Sequence, residues 1–231
     1  KLSFVYFGDA QNDIKSMWSR VIREAYKTLP RVDFMLHAGD LINRHDRDSE
    51  WGEWFYAGNF IHATVPSMMT PGNHEYGKGV ILSPQWRPQF NLPLNGPKGL
   101  EETCYVVNYS NLKVISLDAE QIDESPTYRK KQEVCLDSVL TNDPSKWTAI
   151  TFHYPVFSVS GPKMYDISND PWMQRKARNT QLFQIISIED NKLSYEAYTA
   201  HGELYDAFDL IKSRKKINKL VNRIPSVRER L

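Results

Sequence analysis

The sequence predicts a mixed α/β fold, and three observations carry that prediction. A short apolar run, a polar loop and a helix-like segment follow one another repeatedly in the first part of the chain, the pattern of parallel strands buried on both faces of a sheet. Beyond residue 180, three apolar runs are joined by the tight turns Glu189-Asp190-Asn191 and His201-Gly202, which reads as an antiparallel meander. The 231 residues include 41% hydrophobic and 25% charged residues, enough apolar surface for one large domain and too much for a disordered chain.

Leu2 to Phe7 is nearly continuously apolar and reads as the first strand, ended by Gly8 and Asp9. Ile14, Met17, Trp18, Val21, Ile22, Ala25 and Leu29 recur at helical spacing, predicting a helix over 13–29 that Pro30 closes. A second strand, Val32 to Leu36, runs into Ala38-Gly39-Asp40, and a Trp- and Phe-rich helix follows over 48–60. The third strand, Val65 to Met69, runs into Pro71-Gly72-Asn73-His74-Glu75.

Ser83 to Gly99 is a loop rich in Pro, Gly and Asn. Thr103–Tyr109 and Val114–Leu117 form a hairpin through Ser110-Asn111, and a helix over 127–141 carries Tyr128, Leu136, Val139 and Leu140. Trp147 to Phe152 is a strand that ends at His153. Lys163 to Arg178 is polar and irregular, and the meander comprises Leu182–Ile188, Leu193–Thr199 and Leu204–Ile211. Residues 1–211 are expected to form a single domain.

Residues 212–231 are basic, with Lys212, Arg214, Lys215, Lys216, Lys219, Arg223, Arg228 and Arg230 against Glu229. No aromatic residue is interleaved with these charges, so a solvated helix or tail is expected in preference to a nucleic-acid arm. The net charge of +1 adds no global field that would favour nucleic acid. No apolar run approaches the roughly 20 residues that cross a bilayer. Two cysteines exclude a disulfide framework, and Cys104 and Cys135 fit either a bridge or a pair of buried thiols.

Polar clusters follow four of the strands: Asp9-Ala10-Gln11, Gly39-Asp40, Gly72-Asn73-His74-Glu75 and His153. The carboxyl ends of strands are where an open α/β sheet binds its ligand, so residues far apart in sequence can meet there. Taken singly, Asp9 would be a helix cap, Asn73 a turn residue and His153 an extended, hydrogen-bonded histidine. Jointly, two carboxylates, an amide oxygen and two imidazoles make a donor set for first-row metals, not a thiolate zinc site.

Gly8-Asp9-Ala10-Gln11, Gly39-Asp40-Leu41-Ile42-Asn43, Gly72-Asn73-His74-Glu75 and Thr151-Phe152-His153-Tyr154-Pro155 resemble, in order, the motifs of the calcineurin-like metallophosphoesterases. Trp86 to Pro93 and the strand Val114-Ile115-Ser116-Leu117-Asp118 resemble the purple acid phosphatase branch. The resemblance covers about residues 1–160. It implies the metallophosphatase β-sandwich, two packed mixed sheets flanked by helices. It also implies hydrolysis of phosphate esters by attack of a metal-bound hydroxide at a dinuclear centre of Fe, Zn or Mn. Asp40 would bridge both ions, Asp9 would bind the first, and Asn73 and His153 the second. His74 would act beside the metals as acid or electrophile. A bridging carboxylate suits two ions held about 3.5–4 Å apart. The branch is exported, so a periplasmic or extracellular location is expected. A relative that binds a phosphorylated ligand without turnover is the alternative reading.

The chain departs from the family at three points. Gln11 stands where the family has His or Gly, and its amide oxygen would either ligate or orient a metal-bound water. No tyrosine follows Asp40 closely, which leaves iron in question, and Arg44 in that stretch would grip phosphate bidentately. The family's Gly-His-x-His motif has no counterpart, since the one later histidine is His201. The expectation is a segment of several tens of residues missing between about Ser158 and Val159.

Overall fold

The computed structural model describes residues 1–154, 174–177, 179–213 and 217–230. The junction near 158–159 lies outside them. The elements, in order, are β1 (Leu2–Phe7), a π-helical turn Ile14–Trp18 leading into α1 (Ser19–Thr28), β2 (Phe34–Ala38), α2 (Asp48–Gly58), α3 (Phe60–Thr64) and β3 (Ser67–Thr70). A small hairpin, β4 (Tyr76–Gly77) and β5 (Ile81–Leu82), is followed by α4 (Trp86–Gln89), β6 (Tyr105–Tyr109), β7 (Leu112–Ser116), α5 (Ala119–Glu124), α6 (Pro126–Asn142) and β8 (Trp147–Thr151). The chain closes with β9 (Leu182–Glu189), β10 (Lys192–Thr199), β11 (Leu204–Ile211) and β12 (Lys219–Asn222).

Two mixed sheets result. The larger runs β12-β11-β10-β9-β1-β2-β3, parallel through β1, β2 and β3 and antiparallel from β1 to β12. The smaller runs β6-β7-β8, with β8 parallel to β7.

The period of two in β1 and β2 divides the core. Leu2, Phe4, Phe34 and Leu36 face the smaller sheet and pack on Leu112, Val114 and Trp147, with Phe4 stacked on Phe34 at 4.8 Å. Val5, Phe7 and Met35 face the other way, onto Val21, Ile22 and Ala25 of α1 and Trp51, Trp54 and Ala57 of α2. The outer face of the smaller sheet, with Ile115 and Leu117, packs with Tyr128, Leu136 and Val139 of α6. The order is therefore helices, sheet, sheet, helices. Burying each large apolar side chain in these layers contributes about 1.5–3 kcal/mol.

The expected helix over 48–60 breaks at Asn59, whose φ of 45° and ψ of −124° lie outside the helical region. The basic terminus differs from the expected helix or tail, because Lys219–Asn222 is an edge strand on β11. Among its described cations, Arg223 and Arg230 are engaged in ion pairs. Arg223 meets Glu196 at 3.1 Å and Asp209 at 2.9 Å, and Arg230 meets Glu203 at 2.6 Å.

Cys104 is a buried free thiol and Cys135, on α6, a half-buried one. Burial, then the neighbouring Cys135 and Asp118, push the Cys104 thiol up to about 12, and burial raises that of Cys135 as well. A raised thiol pKa withholds the reactive thiolate. At pH 8 a thiol reagent should therefore label Cys135 first and reach Cys104 only on unfolding, as mass spectrometry of the timed reaction will read. Equal labelling of the two in the folded protein would contradict this packing.

Candidate metal centre

The parallel registers Phe7↔His37 and Ala38↔Thr70 bring the ends of β1, β2 and β3 to one edge of the large sheet. The loops leaving them are cross-tied. Asp9 N–H donates to the Gly39 carbonyl at 3.2 Å and Gln11 N–H to the Asp40 carbonyl at 2.9 Å. Asp9 and Asp40 both hold positive φ, 51° and 53°, a conformation that costs a non-glycine residue on the order of 1–3 kcal/mol and gathers at functional sites.

Two glycines permit the approach. A Cβ on Gly39, whose φ is +88°, would stand 2.6 Å from Gly72 N and 2.8 Å from His153 Nδ1, and a Cβ on Gly72 would stand 2.2 Å from Asp40 Oδ1. Any side chain there forces the loops apart.

Asp9, Asp40 and His153 each offer a ligand atom, and these atoms lie within 4.8 Å of one another. Asp40 is buried at 2% exposure and is the hub. Its Oδ1 accepts from His74 N–H at 3.0 Å, and its Oδ2 stands 2.9 Å from Gln11 Nε2, 3.2 Å from His153 Nε2 and 3.9 Å from His74 Nε2. His153 Nδ1 donates to the Ala38 carbonyl at 2.9 Å, which aims Nε2 at Asp40 and at Asn73 Oδ1, 3.1 Å away. A carbonyl behind one ring nitrogen, leaving the other for an ion, is the usual support of a metal-binding histidine.

The donors fit a hard or borderline cation: two carboxylates, one imidazole and the Asn73 amide oxygen beside it. Burial raises the Asp9 pKa; His153 and His74 pull it down and Asp40 pushes it up. For His153, burial lowers the pKa, but the hydrogen bond and charge of Asp40 outweigh it and hold the ring at about 9. Two carboxylates and an imidazolium thus share a space in which a cation would replace the proton.

His74 lies beside this cluster. Its Nδ1 meets the Asn43 carbonyl at 2.6 Å, and the side chain is 31% exposed. Gln11 presents its nitrogen to Asp40, while its Oε1 is buried without a partner, so exchanging the two atoms turns the oxygen toward the position of an ion. Arg44 is not drawn in: its guanidinium pairs with Asp46 at 3.4 Å and is about half exposed. His201 sits in the exposed turn between β10 and β11, outside the cluster.

Glu75 closes the Gly72–Glu75 motif, and the sequence alone gives it no role. The structure makes it the brace of the site. Its carboxylate, 0% exposed, accepts from the N–H groups of Gly72 at 2.7 Å, Asp40 at 2.9 Å, Leu41 at 2.8 Å and Ile42 at 3.3 Å. Burial, then the charge of Asp40, push its pKa up to about 8, and the backbone donors pull it down. Four donors and no acceptor suit the ionised form, and a cation on Asp40 removes the second cause of the upward shift. A parallel brace holds the far wall: Tyr76 O–H donates to Asp118 at 2.6 Å, and the Gln132 amide closes on the Asp118 backbone at 2.9 and 3.0 Å. A carboxylate three residues past a glycine turn is the one sequence signal that marked Glu75.

A family model for calcineurin-like phosphoesterases matches residues 3–179. No curated protein matches the chain by sequence. Among solved structures, the purple acid phosphatase PPD1 from yellow lupin seeds is similar over 93% of this chain, with a TM-score of 0.64 and 15% identity. The chain spans 54% of that protein, about half its length. GAP50, the anchor in the inner membrane complex of Plasmodium, aligns with 93% of this chain and 90% of its own, with a TM-score of 0.55 and 13% identity. At these identities the likeness concerns the fold. No helix among the described residues is long and apolar enough to cross a membrane.

Glu75→Gln turns an amide nitrogen toward backbone N–H donors that have no other acceptor. With buried donors left unpaired at about 1–3 kcal/mol each, the variant should lose roughly 2–4 kcal/mol of stability in urea unfolding. It should also bind Mn²⁺ more weakly than the parent in calorimetry. Unchanged stability and affinity would show that the brace is dispensable.

Proposed function

The chain belongs to the calcineurin-like phosphoesterase family, and on that premise we propose that it is a metal-dependent phosphoesterase acting on phosphate esters. The observation that supports this most is the meeting of Asp9, Asp40 and His153 from three strands, their ligand atoms within 4.8 Å, with Asn73 and His74 alongside. In this reading Asp9 would hold one divalent or trivalent ion, Asn73 and His153 a second, and Asp40 would contribute to both; the ions would supply charge for phosphate and a more acidic water.

The protein's own groups do the rest. Glu75 fixes the loops so that Asp40 cannot swing away. The Ala38 carbonyl keeps the His153 ring from turning. Asn43 engages Nδ1 of His74 and leaves its Nε2 to give a proton to the leaving oxygen or to stabilise charge on phosphate. Export to the periplasm or the cell exterior accompanies this reading and rests on the resemblance alone.

A second reading has one observation in its favour. Among the described residues, the cluster supplies three ligating His or acidic side chains, enough for one ion with Asn73 but sparse for two. In that case the same loops bind a phosphorylated ligand with little turnover.

Hydrolysis of 4-nitrophenyl phosphate after loading with Mn²⁺, Zn²⁺ or iron separates the readings. The proposal expects turnover that a chelator abolishes. Asp40→Ala should lose metal and activity together. His74→Ala should keep its metal and slow by roughly 10²–10⁴-fold, the usual size of a lost acid or electrostatic contribution. Metal-loaded protein that binds phosphate without turnover favours the second reading. Loss of metal from His74→Ala would make that residue a ligand.

A further inference from the structure

A cavity of about 220 Å³ opens beside Asp9, between the end of β1, the turn that carries Trp18 and the stretch Thr180–Leu182 that enters β9. We propose that this cavity seats the organic group of the ester and selects compact, single-ring alcohols. The inference rests on the phosphoesterase reading above and adds a substrate class to it.

Position is the first support. Asp9 belongs at once to the cavity wall and to the cluster, so an ester whose phosphate is held by cations on Asp9, Asp40 and His153 has its substituent beside the cavity. Shape is the second. Phe7 and Trp18 meet edge to face, centroids 4.8 Å apart with planes at 90°, and they are 2% and 3% exposed. With Val21 and Leu182 they make a rigid apolar wall suited to one flat ring. Gln181 is held at the mouth by Arg20, whose guanidinium donates to its Oε1 at 3.0 Å, so the opening is formed in advance.

Size defines the class further. A volume of 220 Å³ falls below the roughly 300–1,000 Å³ of drug-sized sites, which leaves space for one ring rather than two.

Gly8 provides a direct test. It lines the cavity, a Cβ placed on it meets nothing within 4 Å, and its φ is outside the left-handed region, so the cavity wall accepts a side chain there without straining the backbone. The comparison is kcat/KM for phenyl phosphate against ethyl phosphate with Mn²⁺-loaded protein, in the parent, Gly8→Ala and Gly8→Leu. Taking the ratio between variants cancels the different reactivities of the two esters.

The phenyl-to-ethyl ratio should fall about 10–200-fold in Gly8→Leu, mostly through KM, and hold in Gly8→Ala. A ratio within twofold of the parent in a Gly8→Leu protein that still binds Mn²⁺ overturns the proposal. If Gly8→Leu does not fold, Thr180→Phe at the half-exposed mouth repeats the test. If the parent hydrolyses neither ester, the phosphoesterase reading has failed, and calorimetry with phenylphosphonate and ethylphosphonate still examines the cavity. There, phenylphosphonate should bind at least about tenfold more tightly, an advantage lost in Gly8→Leu; equal affinities overturn the proposal.

Discussion

Four backbone N–H groups from two loops end on the carboxylate of Glu75, and the rest of the site takes its geometry from that junction. The loop after β2 must turn back sharply, with Gly39 and Asp40 both at positive φ, and such a turn leaves several N–H groups pointing inward. Buried donors without acceptors are costly, so the turn persists only while something accepts from them. Glu75 does so from the loop after β3 and thereby joins the two loops. With Asp40 held in this way, His74 N–H, Gln11 and His153 arrange themselves around its two oxygens.

The same junction explains why the site keeps strained ligands. Asp9 and Asp40 occupy a backbone region that each would leave if free, and the cross-ties Asp9 to Gly39 and Gln11 to Asp40 hold them there. The layers beneath supply the stiffness. Phe4 stacked on Phe34 and Phe7 packed against Trp18 secure β1 and β2 from opposite faces, so the strand ends have little freedom to relax. Crowding two carboxylates costs the apo fold stability, the His153 imidazolium offsets part of that cost, and a bound cation would offset more.

Much of this was legible in the residues. The strand–loop–helix order placed Asp9, Asp40, Asn73 and His153 at strand ends; parallel registers align the first three, and the packing of the smaller sheet brings His153 to them. The meander strands were readable because each is an apolar run and each turn between them carries Asp, Asn or Gly. Three features were not legible. Glu75 is a single carboxylate whose task depends on donors in a distant loop, and no local pattern reports that. The pairing of Arg44 with Asp46, two residues on, is a second, since type and position suit Arg44 to phosphate. Lys219–Asn222 has too short and too polar a pattern to signal a strand; its conformation comes from the open edge of β11 and from Asp209 and Glu196 holding Arg223.

Anomalous X-ray scattering from crystals of the Mn²⁺-loaded protein tests most directly whether these loops were assembled to hold a cation. Two peaks are expected within about 2.0–2.6 Å of carboxylate oxygens of Asp40, one of them also at Asp9 and the other also at His153 Nε2, with Glu75 unmoved and still accepting its four N–H groups. Manganese bound elsewhere, or no ordered ion while His153 stays hydrogen-bonded to Asp40, would contradict it.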